Sequence, residues 1–167
     1  MPELPEVETI RKQLEKELLG SIFLYLTTQH PKSFRPSFSL VKEKILQQKI
    51  LTINRQAKLL IFELEGGDWL LFHLKLTGRH FLRNPKEKTD EYTQRVFTLK
   101  IKGGRVKELR FTDARKFGFV GIVSGKTEKE SFLKDYGPEP FKDLTLEKFL
   151  KALRSSGQPV KVALLDQ

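Results

Sequence analysis

The chain opens Met1-Pro2-Glu3-Leu4-Pro5-Glu6, and these are the residue types that could do covalent chemistry. Initiator Met is normally removed before a small residue, which would leave Pro2 with a free secondary amine. An α-amino group titrates near ~7.7–8.0, so a useful fraction is neutral and nucleophilic at physiological pH, whereas a lysine amine would need help. Such an amine can attack a sugar or carbonyl carbon. Because it is secondary, the product is an iminium ion that stays cationic and acts as an electron sink suited to β-elimination. Glu3 beside it could move protons at the same centre, and Glu6 sits one helical turn further on. The same residues also make a good helix start, since Pro suits a first turn and carboxylates suit the positive end of the helix dipole. Singly they do not separate the two readings; the rest of the chain must.

At 167 residues the chain matches one main domain with a core of its own. Lys plus Arg number 31 against 21 Asp plus Glu, a formal charge of +10, so a polyanion is the first partner to expect. The composition is 38% hydrophobic with 13 Phe, enough to build a core and to exclude wholesale disorder. No stretch approaches the ~20 apolar residues of a membrane span, and the acidic start lacks the layout of a secretory signal; a soluble cytoplasmic protein is the expectation. With no Cys, disulfides, thiol catalysis and cysteine-ligated zinc are excluded, and three scattered His are a poor metal set, so no metal site is expected. The chemistry is left to amines, carboxylates and hydroxyls.

The periodicity says what must position those groups. Leu4, Val7, Ile10, Leu14 and Leu18 recur at helical spacing up to Gly20, predicting an amphipathic helix from about Leu4 to Leu19. Thr27 to Ser39, with Pro31 and Pro36, reads as a loop and Leu40 to Leu46 as a short helix. From Ile50 to Val123 short apolar runs alternate with turn signals. Ile50–Ile53, Leu59–Leu64 and Trp69–Leu74 are three of them, and Gly103-Gly104 predicts a two-residue hairpin between strands near Phe97–Ile101 and Val106–Phe111. An antiparallel β-sandwich is expected there, making the chain α+β. Gly125 to Glu130 reads as a polar break, and Leu144–Leu153 and Pro159–Leu165 as helices.

Five ordered segments then carry a resemblance. Met1-Pro2-Glu3-Leu4-Pro5-Glu6-Val7-Glu8-Thr9, Arg55-Gln56-Ala57-Lys58-Leu59-Leu60, His73-Leu74-Lys75-Leu76-Thr77-Gly78 and Asp113-Ala114-Arg115-Lys116-Phe117-Gly118 are four of them. Gly137-Pro138-Glu139-Pro140 with Lys161-Val162-Ala163-Leu164-Leu165-Asp166-Gln167 completes the set. Together they resemble the formamidopyrimidine-DNA glycosylase and endonuclease VIII family of base-excision repair enzymes, with the formamidopyrimidine branch nearer. The resemblance implies a bifunctional glycosylase and abasic-site lyase acting on double-stranded DNA that carries oxidised bases or abasic sites, a monomer in the bacterial cytoplasm, associated with the nucleoid through DNA. It implies an N-terminal catalytic β-sandwich domain over residues 1–135 and the first part of a helix–two-turn–helix module over 136–167. Pro2 would attack C1′ of the flipped nucleotide and form the Schiff base, Glu3 would be the acid/base, and Glu6 would shape the pocket. Lys58, His73 and Lys161 would meet phosphate or lesion. Leu76, Arg115 and Phe117 would fill the gap left by the everted base and should then be exposed at loop tips. Taken alone, Glu6 is equally a helix-dipole partner, Lys58 and Lys161 solvated charges, His73 a satisfied histidine between strands, and Leu76 and Phe117 core residues.

The chain departs from the family pattern in places. Leu76 stands where Met is usual, and Ala57 and Lys75 stand where Gly is usual, so a less free backbone is expected at those two positions. The family's zinc finger and the rest of its helical module have no counterpart in these residues, so no cofactor is expected in them, and the apolar face of the last helix is expected to lack its cover. Three alternatives stay open: a non-catalytic DNA-binding fragment, an endonuclease VIII-like enzyme for oxidised pyrimidines, and an RNA-binding or structural β domain.

Overall fold

The computed structural model describes residues 2–134, 136, 139, 142 and 144–165. Met1, Gly137, Pro138, Pro140, Asp166 and Gln167 of the motif segments lie outside the described residues. Helix α1 runs Leu4–Leu18, close to the expected span. Val7, Leu14 and Leu18 are buried along one face, with Ile10 packed beside them. The Glu6 carboxylate accepts the Glu3 backbone N–H at 3.0 Å, satisfying a donor that a helix start would otherwise leave unpaired.

The sandwich consists of two sheets among the described residues, with strands β1 Ile22–Thr28, β2 Phe34–Arg35, β3 Ile50–Gln56, β4 Leu59–Leu64, β5 Asp68–His73, β6 Arg79–Arg83, β7 Thr93–Lys100, β8 Val106–Thr112 and β9 Phe119–Ser124. One sheet has the order β1-β7-β8-β6 and the other β2-β9-β5-β4-β3. All neighbours are antiparallel except the two-residue β2, which runs parallel to β9. Alternate strand residues meet between the sheets, where Phe72 of β5 sits edge-on to Phe97 of β7 at 5.2 Å and Phe23 of β1 lies 6.1 Å from Phe97. Rings in this arrangement contribute about 0.5–1.5 kcal/mol per pair beyond the area they bury.

Several details differ from the periodicity. Strands β1 and β6 carry too little alternation to be read from sequence; β1 even shifts register between Phe23 and Tyr25. Helix α2 covers Phe38–Ile45, started by the Ser37 hydroxyl accepting the Leu40 N–H at 3.2 Å. The β7–β8 connection closes on Ile101 N–H to Arg105 at 2.8 Å, enclosing three residues rather than two. The polar break from Gly125 is instead helix α3, Gly125–Leu133. Its first turn is held by the Ser124 N–H donating to Glu128 at 2.6 Å, and its last turn is held by Phe132 and Leu133 packing against the buried cluster of Leu59, Ile61, Leu71, Phe119 and Val123. Ala57 and Lys75 take the left-handed backbone conformation, φ 48° and 52°, so the turns keep the glycine-type geometry despite carrying side chains. Helices α4 Leu146–Ser156 and α5 Val160–Leu165 pack on each other. They leave Leu146, Leu150, Val160, Val162 and Leu164 exposed.

His80 on β6 lies 5.0 Å from both the Phe72 and Phe111 rings, and neither of its ring nitrogens has a partner among the described residues. Burial, helped by the Arg95 charge, pushes its pKa down to about 3. Below the ordinary His value the unfolded chain takes up a proton that folded His80 refuses, so stability is lost as the pH falls. The slope approaches about 1.4 kcal/mol per pH unit. Denaturant titrations at pH 6.5 and 4.5 should therefore differ by about 2–3 kcal/mol less in His80→Leu than in the parent chain. An unchanged difference would assign the acid sensitivity to other groups.

Candidate active site

The site is built on the start of α1 and on loops at one end of the sandwich. Pro2 and Glu6 line one side of a cleft of about 730 Å³, whose other lining includes Leu76, Arg79, Asp90 and Tyr92. Glu3, half-exposed, directs its carboxylate to the Lys58 ammonium at 2.6 Å. Lys58 sits at the turn between β3 and β4, so this ion pair brings the chain's first residues to a turn far along the sequence. An ammonium has three N–H donors, so Lys58 can hold Glu3 and still offer donors to an anion.

The turn carrying Lys58 is itself clamped. Arg55 at the end of β3 makes a bidentate pair with Glu139, both bonds 2.8 Å, and donates to Glu8 of α1 at 3.1 Å and to the Ala57 carbonyl at 2.7 Å. The Ala57 N–H donates to the same Glu139 carboxylate. Burial alone would lower the Arg55 pKa, but its hydrogen bonds to Glu139 and Glu8 outweigh that and raise it. For Glu8, burial pushes upward and the bonds from Arg11 and Arg55 win, holding its carboxyl below the usual range. Arg11 extends the chain of charges to Glu15 at 2.8 Å. One turn, one helix and residue 139 are thus fixed relative to one another.

His73 is buried, at 4% exposure. Its Nδ1 accepts the Lys75 N–H at 3.1 Å, which leaves the proton on Nε2, and its ring lies 5.4 Å from Phe119 and 6.3 Å from Tyr136. Phe117 stands out at 59% exposure with the Arg115 guanidinium 5.7 Å over its ring. Leu76 does not match it: the side chain is half-buried in the cleft lining. The turn that carries it is tight: a Cβ on Gly78 would lie 2.4 Å from the Leu74 carbonyl oxygen. Lys161 is exposed on α5 and is not in the cleft lining.

Sequence reasoning missed Arg79, Asp90 and Tyr92 as cleft residues, because strand β6 and the loop before β7 carry no period that sets their direction. The signal was present for Arg55, Asp113 and Glu139, which lie inside the motif segments but have no chemistry of their own to announce. Among the described residues no group of His, Asp or Glu is placed to hold a metal ion, and these residues contain no thiolate donor for a cysteine-ligated zinc. Nor is any described helix long and apolar enough to cross a membrane.

Comparison with known proteins bears on the whole arrangement. Residues 1–120 match the formamidopyrimidine-DNA glycosylase N-terminal domain. The chain is 38% identical over 170 residues to the formamidopyrimidine-DNA glycosylase of Herpetosiphon aurantiacus, covering 100% of this chain and 60% of the relative. It is 35% identical over 173 residues to that of Lactococcus lactis subsp. cremoris, again covering 100% and 60%. Among solved structures it superimposes on Lactococcus lactis Fpg complexed with DNA containing an abasic site, with a TM-score of 0.89, 30% identity, and coverage of 99% of this chain and 61% of that one. The same enzyme complexed with DNA containing FAPY-dG gives 0.88 at 30% identity, with coverage of 99% and 61%. The chain therefore spans about 60% of the length of the curated relatives it matches.

Proposed function

The chain belongs to the formamidopyrimidine-DNA glycosylase family, and from that premise we propose that it is a bifunctional DNA glycosylase and abasic-site lyase for oxidised purines, formamidopyrimidine and 8-oxoguanine. The observation that carries this reading is the shared cleft of Pro2, Glu6 and Leu76, with the exposed Arg115–Phe117 tip on the loop that follows β8. The Pro2 nitrogen, free after removal of Met1, attacks C1′ of an everted nucleotide, and the C1′–base bond breaks with its electron pair leaving on the base, which takes up the proton that the Pro2 nitrogen gives up on bonding to C1′. Glu3 delivers a proton to the sugar ring oxygen as the ring opens, giving the iminium, and recovers a proton in the steps that follow. Loss of a C2′ proton expels the 3′ phosphate and a second elimination expels the 5′ phosphate, after which water releases Pro2.

Lys58 and Lys161 supply cationic contacts to phosphate, and His73 is the residue assigned to the phosphate backbone beside them. Phe117 wedges between base pairs, Arg115 donates to the orphaned base, and Leu76 fills the vacated stack from the cleft side. Residues 1–135 form the catalytic domain and 136–167 open the helical DNA-binding module.

Intact-mass analysis before and after borohydride reduction with an abasic-site duplex tests this. A chain lacking Met1 that gains one oligonucleotide, with the adduct lost in Pro2→Gly, is the expected result. A processed chain with no adduct would instead make it a non-catalytic DNA-binding unit.

A further inference from the structure

Asp113 is fully buried at the end of β8, yet its polar atoms face loops rather than strands. One carboxylate oxygen accepts the Thr77 hydroxyl, from the turn that carries Leu76. The other accepts the Gly118 N–H at 2.7 Å, closing the loop that carries Arg115 and Phe117. Its backbone N–H donates to the Tyr92 carbonyl at 2.9 Å, from the loop before β7, and its carbonyl accepts the Lys116 N–H at 3.2 Å. Thr77 completes the link between the first two loops, since its hydroxyl oxygen also accepts the Arg115 N–H at 3.2 Å. Leu76, Tyr92 and Ala114, one from each loop, line the cleft with Pro2.

The surroundings leave this arrangement little play. A Cβ on Gly118 would sit 2.7 Å from the Phe111 ring and 3.0 Å from the Asp113 carboxylate. From the far side the buried Arg95 donates to the Gly118 carbonyl at 2.7 Å and to Ser33 at 2.8 Å. Phe117, 59% exposed, buries less than half of its surface, so the apolar contribution to holding its loop is small and these polar bonds supply most of the loop's fixed shape.

We propose that Asp113 is a positioning residue that locks the Leu76 turn to the Arg115–Phe117 loop through Thr77, so that both enter a DNA duplex as one rigid unit. The inference rests on the DNA-repair reading above but needs only duplex insertion, not catalysis. A rigid pair of wedges avoids ordering each loop separately at the moment of binding, and that is where the lock acts.

The test uses a duplex containing a tetrahydrofuran abasic analogue, which cannot form an imine, with 2-aminopurine next to it as a reporter of unstacking. The full chain should raise the fluorescence on binding. Thr77→Val, which keeps the side-chain shape and removes the link, should shift the half-maximal concentration upward roughly tenfold, the size expected for a lost hydrogen bond to a charged group. Thr77→Ser should restore it to within about twofold of the parent, and Asp113→Asn, folded by circular dichroism, should fall with Thr77→Val. An unshifted Thr77→Val curve, a failure of Thr77→Ser to restore it, or no fluorescence rise with the parent chain would overturn the lock. Borohydride trapping on a natural abasic site separates this from the catalytic reading, because trapping can fail while the fluorescence pattern holds.

Discussion

Glu3→Gln is expected to slow release of a formamidopyrimidine base from a duplex by about 10²–10⁴-fold under single-turnover conditions, the usual worth of a positioned proton carrier. Trapping on an abasic site that already lacks its base should fall far less. The difference follows from the chemistry. Expelling a base from an intact nucleoside needs a proton delivered to the sugar as the ring opens, whereas an abasic sugar already presents an aldehyde that the Pro2 amine can attack. Glu3 is taken as the proton carrier rather than Glu6 because it adjoins Pro2 in the sequence, while the Glu6 carboxylate accepts the Glu3 N–H at 3.0 Å. Glu3 instead faces the Lys58 ammonium at 2.6 Å. Measuring both rates on one preparation decides the matter. Equal losses on the two substrates would make Glu3 structural, and no loss on the base-bearing duplex would remove it from the reaction.

Breaking the pair between Arg55 and Glu139 should have the largest effect on stability. Glu139→Ala leaves a guanidinium whose side chain is 11% exposed with only Glu8 and the Ala57 carbonyl as partners, and it removes the acceptor of the Ala57 N–H as well. Truncating one partner of a buried ion pair costs about 3–5 kcal/mol, because the other charge stays desolvated without compensation. At about 2–4 °C per kcal/mol for a chain of this size, the melting temperature should drop by roughly 6–20 °C. Arg55→Ala together with Glu139→Ala should be less damaging than the sum of the single changes, since the double variant leaves no orphaned partner. Additive losses in thermal melts of the four chains would mean that the two groups do not depend on each other. Because the same turn carries Lys58, the single variants should also lose borohydride trapping at temperatures where they remain folded. Glu8 is the internal control: it keeps a bond to Arg55 at 3.1 Å when Glu139 is gone, so Arg55 is not wholly unpaired and the lower end of the range applies if that bond shortens.

The residues to which the proposed chemistry is assigned could be picked out from their order because they are local. Pro2, Glu3 and Glu6 lie within one turn of the helix that their own residue types start, and Val7, Leu14 and Leu18 repeat on the face that α1 buries. The strands with apolar runs, such as Leu59–Leu64, were legible because a strand buried on both faces leaves a continuous apolar stretch between turn signals. Strands β1 and β6 left none, one bulged and one lying along a partly exposed edge. Helix α3 was hidden because what holds it is the packing of Phe132 and Leu133 on the buried cluster around Phe119, not a repeat within its own residues.

What only the folded chain decided are the pairings between distant positions. Glu3 meets Lys58, Arg55 meets Glu139, and Asp113 meets Thr77 and Gly118. A carboxylate written in a sequence has no direction and no partner, and its desolvation is compensated only where the fold brings a donor to it. The half-buried setting of Leu76 against the exposed Phe117 belongs to the same class. Two apolar residues read alike in the text, and only the folded chain set Leu76 in the cleft lining and left Phe117 standing in solvent.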